Sequence, residues 1–125
     1  MNPGHYEQFL ALAARGEGYP LQRCAACGWT AGFPRVCCAR CLAEMTWFTG
    51  SGTGTITSRA IVWRTHDARY EPYVPIVMAH IELAEGPEVI STIVGPGRLD
   101  ARIGMAVTRA TDGAWSVLPQ FRLAG

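Results

Sequence analysis

With 125 residues, 49% of them hydrophobic and 17% charged, the chain is long enough to bury one core of ordinary size and too short for two. Its formal charge of +1 is far from the strongly basic balance of a domain built to neutralise nucleic-acid phosphates. All 11 basic side chains are arginine, which excludes Schiff-base catalysis by a lysine.

Met1–Ala14 carries His5, Glu7 and Gln8 where a secretory signal would be apolar. The longest apolar run, Tyr73–Leu83, is short and interrupted by Pro75, His80 and Glu82. A cytoplasmic protein with no membrane partner is therefore expected.

At the start, Asn2-Pro3-Gly4-His5 reads as an N-cap followed by proline at the first helical position. The helix is predicted to run to about Arg15, with Tyr6, Phe9, Leu10 and Ala13 on one apolar stripe and Gly16 and Gly18 as the stop. A helix of roughly thirteen residues is marginal alone, so the barrel described below or another subunit must cover the stripe.

Residues 21–48 hold all five cysteines, with extended pieces predicted at Leu21–Arg23, Phe33–Val36 and Met45–Phe48. Crowding between positions 24 and 41 argues against a disulfide framework, which would spread along the chain. Cys24-Ala25-Ala26-Cys27, ten intervening residues and Cys38-Ala39-Arg40-Cys41 form a paired C-x-x-C arrangement. Each pair can build a knuckle that points two thiolates at one ion, and two knuckles complete a tetrahedral sulfur site. Gly28 suits the first knuckle, while Leu42 at the matching place predicts a different turn in the second. Cys37 is left as a free thiol. Zinc is the expected metal, with iron in a rubredoxin-like site the rival that the ligand set leaves open. Four protein ligands leave no open position for water or substrate, so the expected role is structural.

Gly50, Gly52 and Gly54 read as a linker into a strand that bends. Strands are predicted at Thr55–Trp63, Val74–Leu83, Val89–Val94, Met105–Ala110 and Trp115–Leu123, with Asp112-Gly113 as a hairpin turn between the last two. Five strands without a long helix predict a small barrel. The expected organisation is an N-terminal helix over 1–18, a zinc ribbon over 19–49 and the barrel over 50–125; no internal repeat or low-complexity tract is present.

The residues now form a recognisable pattern. Leu21-Gln22-Arg23-Cys24-x-x-Cys27-Gly28 is followed by Pro34-Arg35-x-x-Cys38-x-x-Cys41 and by Gly50-x-Gly52-x-Gly54 entering a Thr/Ile/Val strand. Pro75-Ile76-Val77-Met78-Ala79-His80-Ile81-Glu82-Leu83-x-Glu85-Gly86-Pro87 and Ile103-Gly104-Met105-x-Val107 extend it over nearly the whole chain. This resembles the acyl-CoA-associated zinc-ribbon plus OB-fold family, long catalogued as a domain of unknown function. The resemblance implies a mainly β fold: an N-terminal helix, a rubredoxin-like zinc ribbon and a five-stranded OB-fold barrel. It also implies a non-catalytic accessory subunit that docks on a thiolase-like acyltransferase, condensing enzyme or aldolase, in a hetero-oligomer, and helps form its acyl-CoA site. Cys24, Cys27, Cys38 and Cys41 carry over as zinc ligands.

His5, His66 and His80 are the only histidines, and a general base would come from among them; surface or packed histidines are the plainer account. Arg15, Arg23, Arg35 and Arg40 are opposed between residues 15 and 43 only by Glu17 and suit CoA phosphates, an acidic partner or plain solvent. Trp29, Trp47, Trp63 and Trp115 are potential stacking platforms in a nucleic-acid-binding ribbon and OB module, the alternative function. Without a basic groove, packing is the preferred account and no nucleic-acid partner is expected. The docking surface is expected to be the Tyr6–Phe9–Leu10 stripe with exposed barrel residues.

Overall fold

The structure, a computed structural model, describes residues 4–124. The first helix, α1, spans His5–Ala13 with Gly4 as its N-cap. The predicted capping by Asn2 and Pro3 lies outside the described residues. Phe9 and Ala13 are buried, so the stripe is covered by this chain itself. Phe9 packs 5.8 Å from Tyr19 and 6.4 Å from Trp47 between ring centroids, leaving Tyr6 as the exposed aromatic of the stripe. This corrects the expectation that Phe9 is a docking anchor.

Three strands follow in a small antiparallel sheet ordered β2-β1-β3: β1 Tyr19–Cys24, β2 Thr30–Ala31 and β3 Met45–Gly50. The predicted strand at Phe33–Val36 is absent. Pro34 lacks a donor, and the buried Gln22 side chain satisfies the next residue instead: its amide accepts from the Arg35 N–H at 2.7 Å and donates to the Arg35 carbonyl at 3.0 Å. One side chain thus replaces the pairing that a strand would have made.

The glycine stretch is a tight turn rather than a loose linker. Ser51 and Gly52 join β3 to β4 (Thr53–Val62), with the Ser51 N–H bonded to Glu85 Oε2 at 2.9 Å and the Gly52 carbonyl accepting from the Arg109 N–H at 2.7 Å. The barrel continues with β5 Ile76–Leu83, β6 Glu88–Ile93, β7 Ala106–Ala110 and β8 Gln120–Leu123, and it closes in the order β4-β5-β6-β8-β7. A register shift between Ile56 and Ser58 bends β4, whose first residues, Thr53–Thr55, pair with β7 while the strand pairs with β5 along most of its length. The mainly β fold with an N-terminal helix and a closed five-stranded OB-type barrel matches the sequence reading.

The last two strands differ from expectation. Asp112-Gly113 is not a two-residue hairpin turn, because Ala110 pairs with Gln120 across the nine-residue loop 111–119. β8 is correspondingly short, and Trp115–Leu118 belong to that loop.

The main core fills the barrel with Ile56, Val77, Ile81, Leu83, Val107 and Phe121 and continues into Phe9, Tyr19 and Leu21. Arg109 ties the parts together. Its guanidinium donates to the carbonyls of Gly18 and Ala13, each at 2.8 Å, the second at the C-terminal end of α1 where a cation is favoured. Gly18 has φ +54, and a Cβ there would meet the Gly50 carbonyl oxygen at 2.0 Å, so the chain can cross at this point only with glycine. Among the described residues, no helix is long and apolar enough to cross a membrane.

Candidate functional site

Two places concentrate chemistry: the cysteine cluster and a cleft between the ribbon and the barrel.

The four cysteines chosen from the sequence converge. The Sγ atoms of Cys24, Cys27, Cys38 and Cys41 all lie within 4.8 Å of one another, with Cys24 and Cys41 at 3.4 Å and Cys27 and Cys38 at 3.6 Å. A tetrahedral zinc with bonds near 2.3 Å would set its sulfurs about 3.8 Å apart, so the cluster fits.

The two knuckles are equivalent, contrary to the expectation for Leu42. In the first, the Gly28 N–H bonds to the Cys24 carbonyl at 3.1 Å and the Cys24 N–H to the Trp29 carbonyl at 2.8 Å. In the second, the Leu42 N–H bonds to the Cys38 carbonyl at 3.0 Å and the Cys38 N–H to the Ala43 carbonyl at 2.9 Å. Gly28 has φ +80 and Leu42 φ +66; Leu42 adopts glycine's conformation, at the cost an L-residue pays there. Backbone N–H groups point at the sulfurs: Ala26 and Cys27 at Cys24, Arg40 at Cys38.

These surroundings split the thiols. Cys24 is pulled down to about 6, first by the Cys27 N–H. Burial opposes ionisation of Cys38, but the N–H groups of Arg40 and Cys41 prevail and its pKa falls. The Ala43 N–H favours the Cys41 thiolate, yet the neighbouring thiol of Cys24, burial and the other cysteines push Cys41 up to about 12. Four sulfurs this close cannot all ionise without a cation among them. Cys38 is fully buried and Cys24 nearly so, whereas Cys27 and Cys41 face solvent. Cys37 is not among the four converging sulfurs and bridges through its backbone to Glu44.

The arginines of the ribbon do not converge. Arg23 lies 4.3 Å over the Phe48 ring and Arg35 5.8 Å from the Trp29 centroid, while Arg15 and Arg40 are exposed. The histidines are also scattered. His66 is exposed beside Asp67, whose carboxyl is held down at about 2 by hydrogen bonds from Arg69. His80 lies on the outer face of β5 with Nδ1 3.4 Å from Glu88.

The cleft escaped the sequence reading. It has a volume of about 580 Å³. Its floor is the outer face of β5 and β6, with Ile76, Met78, Ile90 and Thr92; α1 contributes Tyr6 and Phe9, and the ribbon loop contributes Gly32, Phe33 and Pro34. The ends come from the β4–β5 loop, with Thr65 and Tyr70, and from the β7–β8 loop, with Trp115 and Leu118. Tyr73 stacks on Trp115 at 4.4 Å and Tyr70 meets its edge at 6.1 Å, fixing one loop against the other. A signal existed: β5 and β6 are apolar at both alternating parities, Val77 with Met78 and Val89 with Ile90, as expected of strands covered on two faces.

Comparison with known proteins places this architecture. Residues 47–112 match the model of the ChsH2 C-terminal OB-fold domain. A curated relative from Thermomonospora curvata, named "Probable enoyl-CoA hydratase alpha subunit", is 33% identical over 101 residues, which cover 79% of this chain and 31% of the relative. The chain thus spans about a third of that relative's length. Among solved structures, a chain of the Ltp2–ChsH2(DUF35) aldolase superposes with a TM-score of 0.81 at 27% identity, over 100% of this chain and 98% of that one. A DUF35-family protein of unknown function from Sulfolobus solfataricus reaches a TM-score of 0.66 at 15% identity, covering 94% and 84% of the two chains, and supports the fold alone. The resemblance read from the cysteine, glycine and strand motifs therefore holds, and with just over half of its residues inside the matched region the chain belongs to the ChsH2 C-terminal OB-fold family.

Proposed function

We propose that the chain is a non-catalytic accessory subunit that docks on a thiolase-like enzyme and helps form its acyl-CoA site, with a structural zinc held by Cys24, Cys27, Cys38 and Cys41. The observation that carries this reading is the end-to-end superposition on a chain of the Ltp2–ChsH2(DUF35) aldolase. The subunit name of the Thermomonospora curvata relative points the same way. The histidines support it by their dispersal: none lines the cleft, and none is bonded to a nucleophilic side chain among the described residues.

With Phe9 covered, docking shifts to the barrel. The β6–β7 loop exposes Leu99, Ile103 and Met105, with Ile103 68% accessible, and none of the three lines the cleft. Apolar anchors clustered on one loop suit a partner that desolvates them. The alternative of a nucleic-acid module finds no support, since the cleft on the barrel's outer face carries no arginine.

Co-expression with the candidate enzyme should yield a stable hetero-complex, and Ile103→Asp should weaken it about tenfold or more while leaving metal content unchanged. The partner's turnover of its acyl thioester is expected to fall when this chain is withheld. Turnover of acyl-CoA by this chain alone, or full activity of the partner without it, would overturn the reading.

A further inference from the structure

Only one of the two lengthwise edges of β4 is filled from end to end. The Leu83 N–H bonds to the Pro87 carbonyl at 2.9 Å across the β5–β6 turn, so by alternation Val77, Ala79 and Ile81 turn their backbone toward β6 and Ile76, Met78 and His80 turn theirs toward β4. Their partners there are Val62, Ala60 and Ser58. Arg59 and Ile61, which lie between, aim their N–H and C=O groups at the opposite edge.

On that edge the pairing with β7 ends at Thr55 and Ala106. The last bonds run from the Ile56 N–H to the Met105 carbonyl at 3.0 Å and from the Gly104 N–H to the Ile56 carbonyl at 2.8 Å. Among the described residues, nothing bonds to the backbone of Arg59 or Ile61 on that side. The opening is a built feature. Thr57 is the extra residue of the register shift, and its hydroxyl donates to Glu88 Oε2 at 2.9 Å, which pins the bulge. Without that residue, Ser58, Ala60 and Val62 would face the free edge instead.

An unpaired edge is a template for another strand, and proteins guard it with proline, charge or a cover. No proline stands between Thr53 and Glu71, and Arg59 is the one charged residue of β4. Ile61 and Val62 are half-buried, and Trp63 beyond them is 62% exposed. The edge opens at Gly104, between Ile103 and Met105, so it is continuous with the exposed apolar residues of the β6–β7 loop. From Thr53 to His66 the chain carries Arg59 and Arg64 and no carboxylate. Both arginines are exposed, and among the described residues neither has an ion pair. A second copy would bring the same cations to the same edge, so like charges oppose self-pairing. A segment that carries a carboxylate meets them favourably.

We propose that the edge of β4 from Arg59 to Ile61 receives an extended segment of the partner enzyme as an added strand, with a carboxylate of that segment set against Arg59. Main-chain bonds to Arg59 and Ile61 fix the register, and Ile103 and Met105 cover the place where the added strand meets the end of the β7 pairing. That the occupant belongs to the enzyme rests on the accessory-subunit reading; the open edge does not.

The test compares amide hydrogen exchange in the whole chain with its metal, alone and in its co-expressed complex. Alone, Arg59 and Ile61 should exchange at least about tenfold faster than Ser58, Ala60 and Val62; in the complex they should become as protected as those neighbours. Ile61→Pro deletes one outward donor and leaves the β5 ladder whole, as edge strands tolerate, and Arg59→Glu keeps the backbone and reverses the charge. Each should weaken the complex about tenfold or more with metal content unchanged. Ala60→Pro, which removes a donor aimed at β5, should instead lower the melting temperature. Should Ile61→Pro fail to fold, Arg59→Glu and the exchange data decide. A complex in which Arg59 and Ile61 exchange as freely as before overturns the proposal and leaves the accessory-subunit reading intact, whereas no complex at all overturns both. Protection of these two amides that rises with the concentration of the chain alone assigns the edge to a second copy and also overturns it. Loss of the partner in Ile103→Asp with wild-type affinity in folded Ile61→Pro and Arg59→Glu overturns it too and confines docking to the loop.

Discussion

The cysteine cluster and the cleft are built in opposite ways. The cluster draws its four sulfurs from eighteen consecutive positions, Cys24 to Cys41, and each knuckle is completed by hydrogen bonds within five residues. The cleft needs α1, the ribbon loop, two strands and two barrel loops, spanning Tyr6 to Gln120. Local chemistry can be held by a metal even when little apolar surface supports it. The buried ribbon cluster is only Cys24, Ala31, Cys38 and Met45. A distributed site instead inherits its geometry from the main core and from the contacts that join the parts.

The comparison breaks most sharply at the metal. Removing zinc with a strong chelator, or substituting Cys24→Ser, should unfold the ribbon, since structural zinc in small modules contributes about 10–16 kcal/mol of binding free energy at neutral pH. Metal analysis should fall from one ion per chain toward none, while Cys37→Ser retains it. Loss with Cys37→Ser and retention with Cys38→Ser would reassign the ligands. Hydrogen exchange should show residues 24–45 deprotected and β4–β8 protected.

Arg109→Met should produce the converse. It deletes the bonds to Ala13 and Gly18 without touching a cysteine, and leaves two carbonyls short of a charged donor. A loss of about 2–4 kcal/mol is expected from charge-assisted bonds at a partly buried place. Hydrogen exchange should show α1, which supplies Tyr6 and Phe9 to the cleft, deprotected, with metal content unchanged. Parallel loss of metal would show that the two sites are not independent.

The smallest effect tests the likeness of the knuckles. Leu42→Gly relieves a left-handed backbone at an exposed side chain and should stabilise the ribbon by about 0.5–1 kcal/mol in thermal unfolding. A destabilised variant would mean that Leu42 packs in a way Gly28 has no need to match.

The same contrast explains what could be read from the sequence. Cysteine spacing picks out the four sulfurs that converge because the knuckle is local, and strand alternation gave the five barrel strands to within a few residues except at the last. Trp115–Leu118 has the composition of a strand but is drawn into the loop by the backbone bonds to Gln120 and by the Tyr73 stack, neither of which has a periodicity. Phe33–Val36 failed as a strand because Gln22, thirteen residues from Arg35, supplies the pairing through its side chain. Phe9 looked available because its cover, Tyr19 and Trp47, lies beyond the helix in both sequence and secondary structure. Leu42 takes the left-handed turn despite its residue type because the knuckle imposes it.

Arg109 also sets an order of events as the chain is made. Its backbone N–H closes against Gly52 as β7 pairs with β4, and its side chain reaches Ala13 across 96 positions of sequence. At about 5–20 residues per second, α1 emerges from the ribosome roughly 5–20 s before its last anchor exists. This helix thus gains its last anchor only when barrel closure brings Arg109 to Ala13, well after Tyr19 and Trp47, the cover of Phe9, have been made.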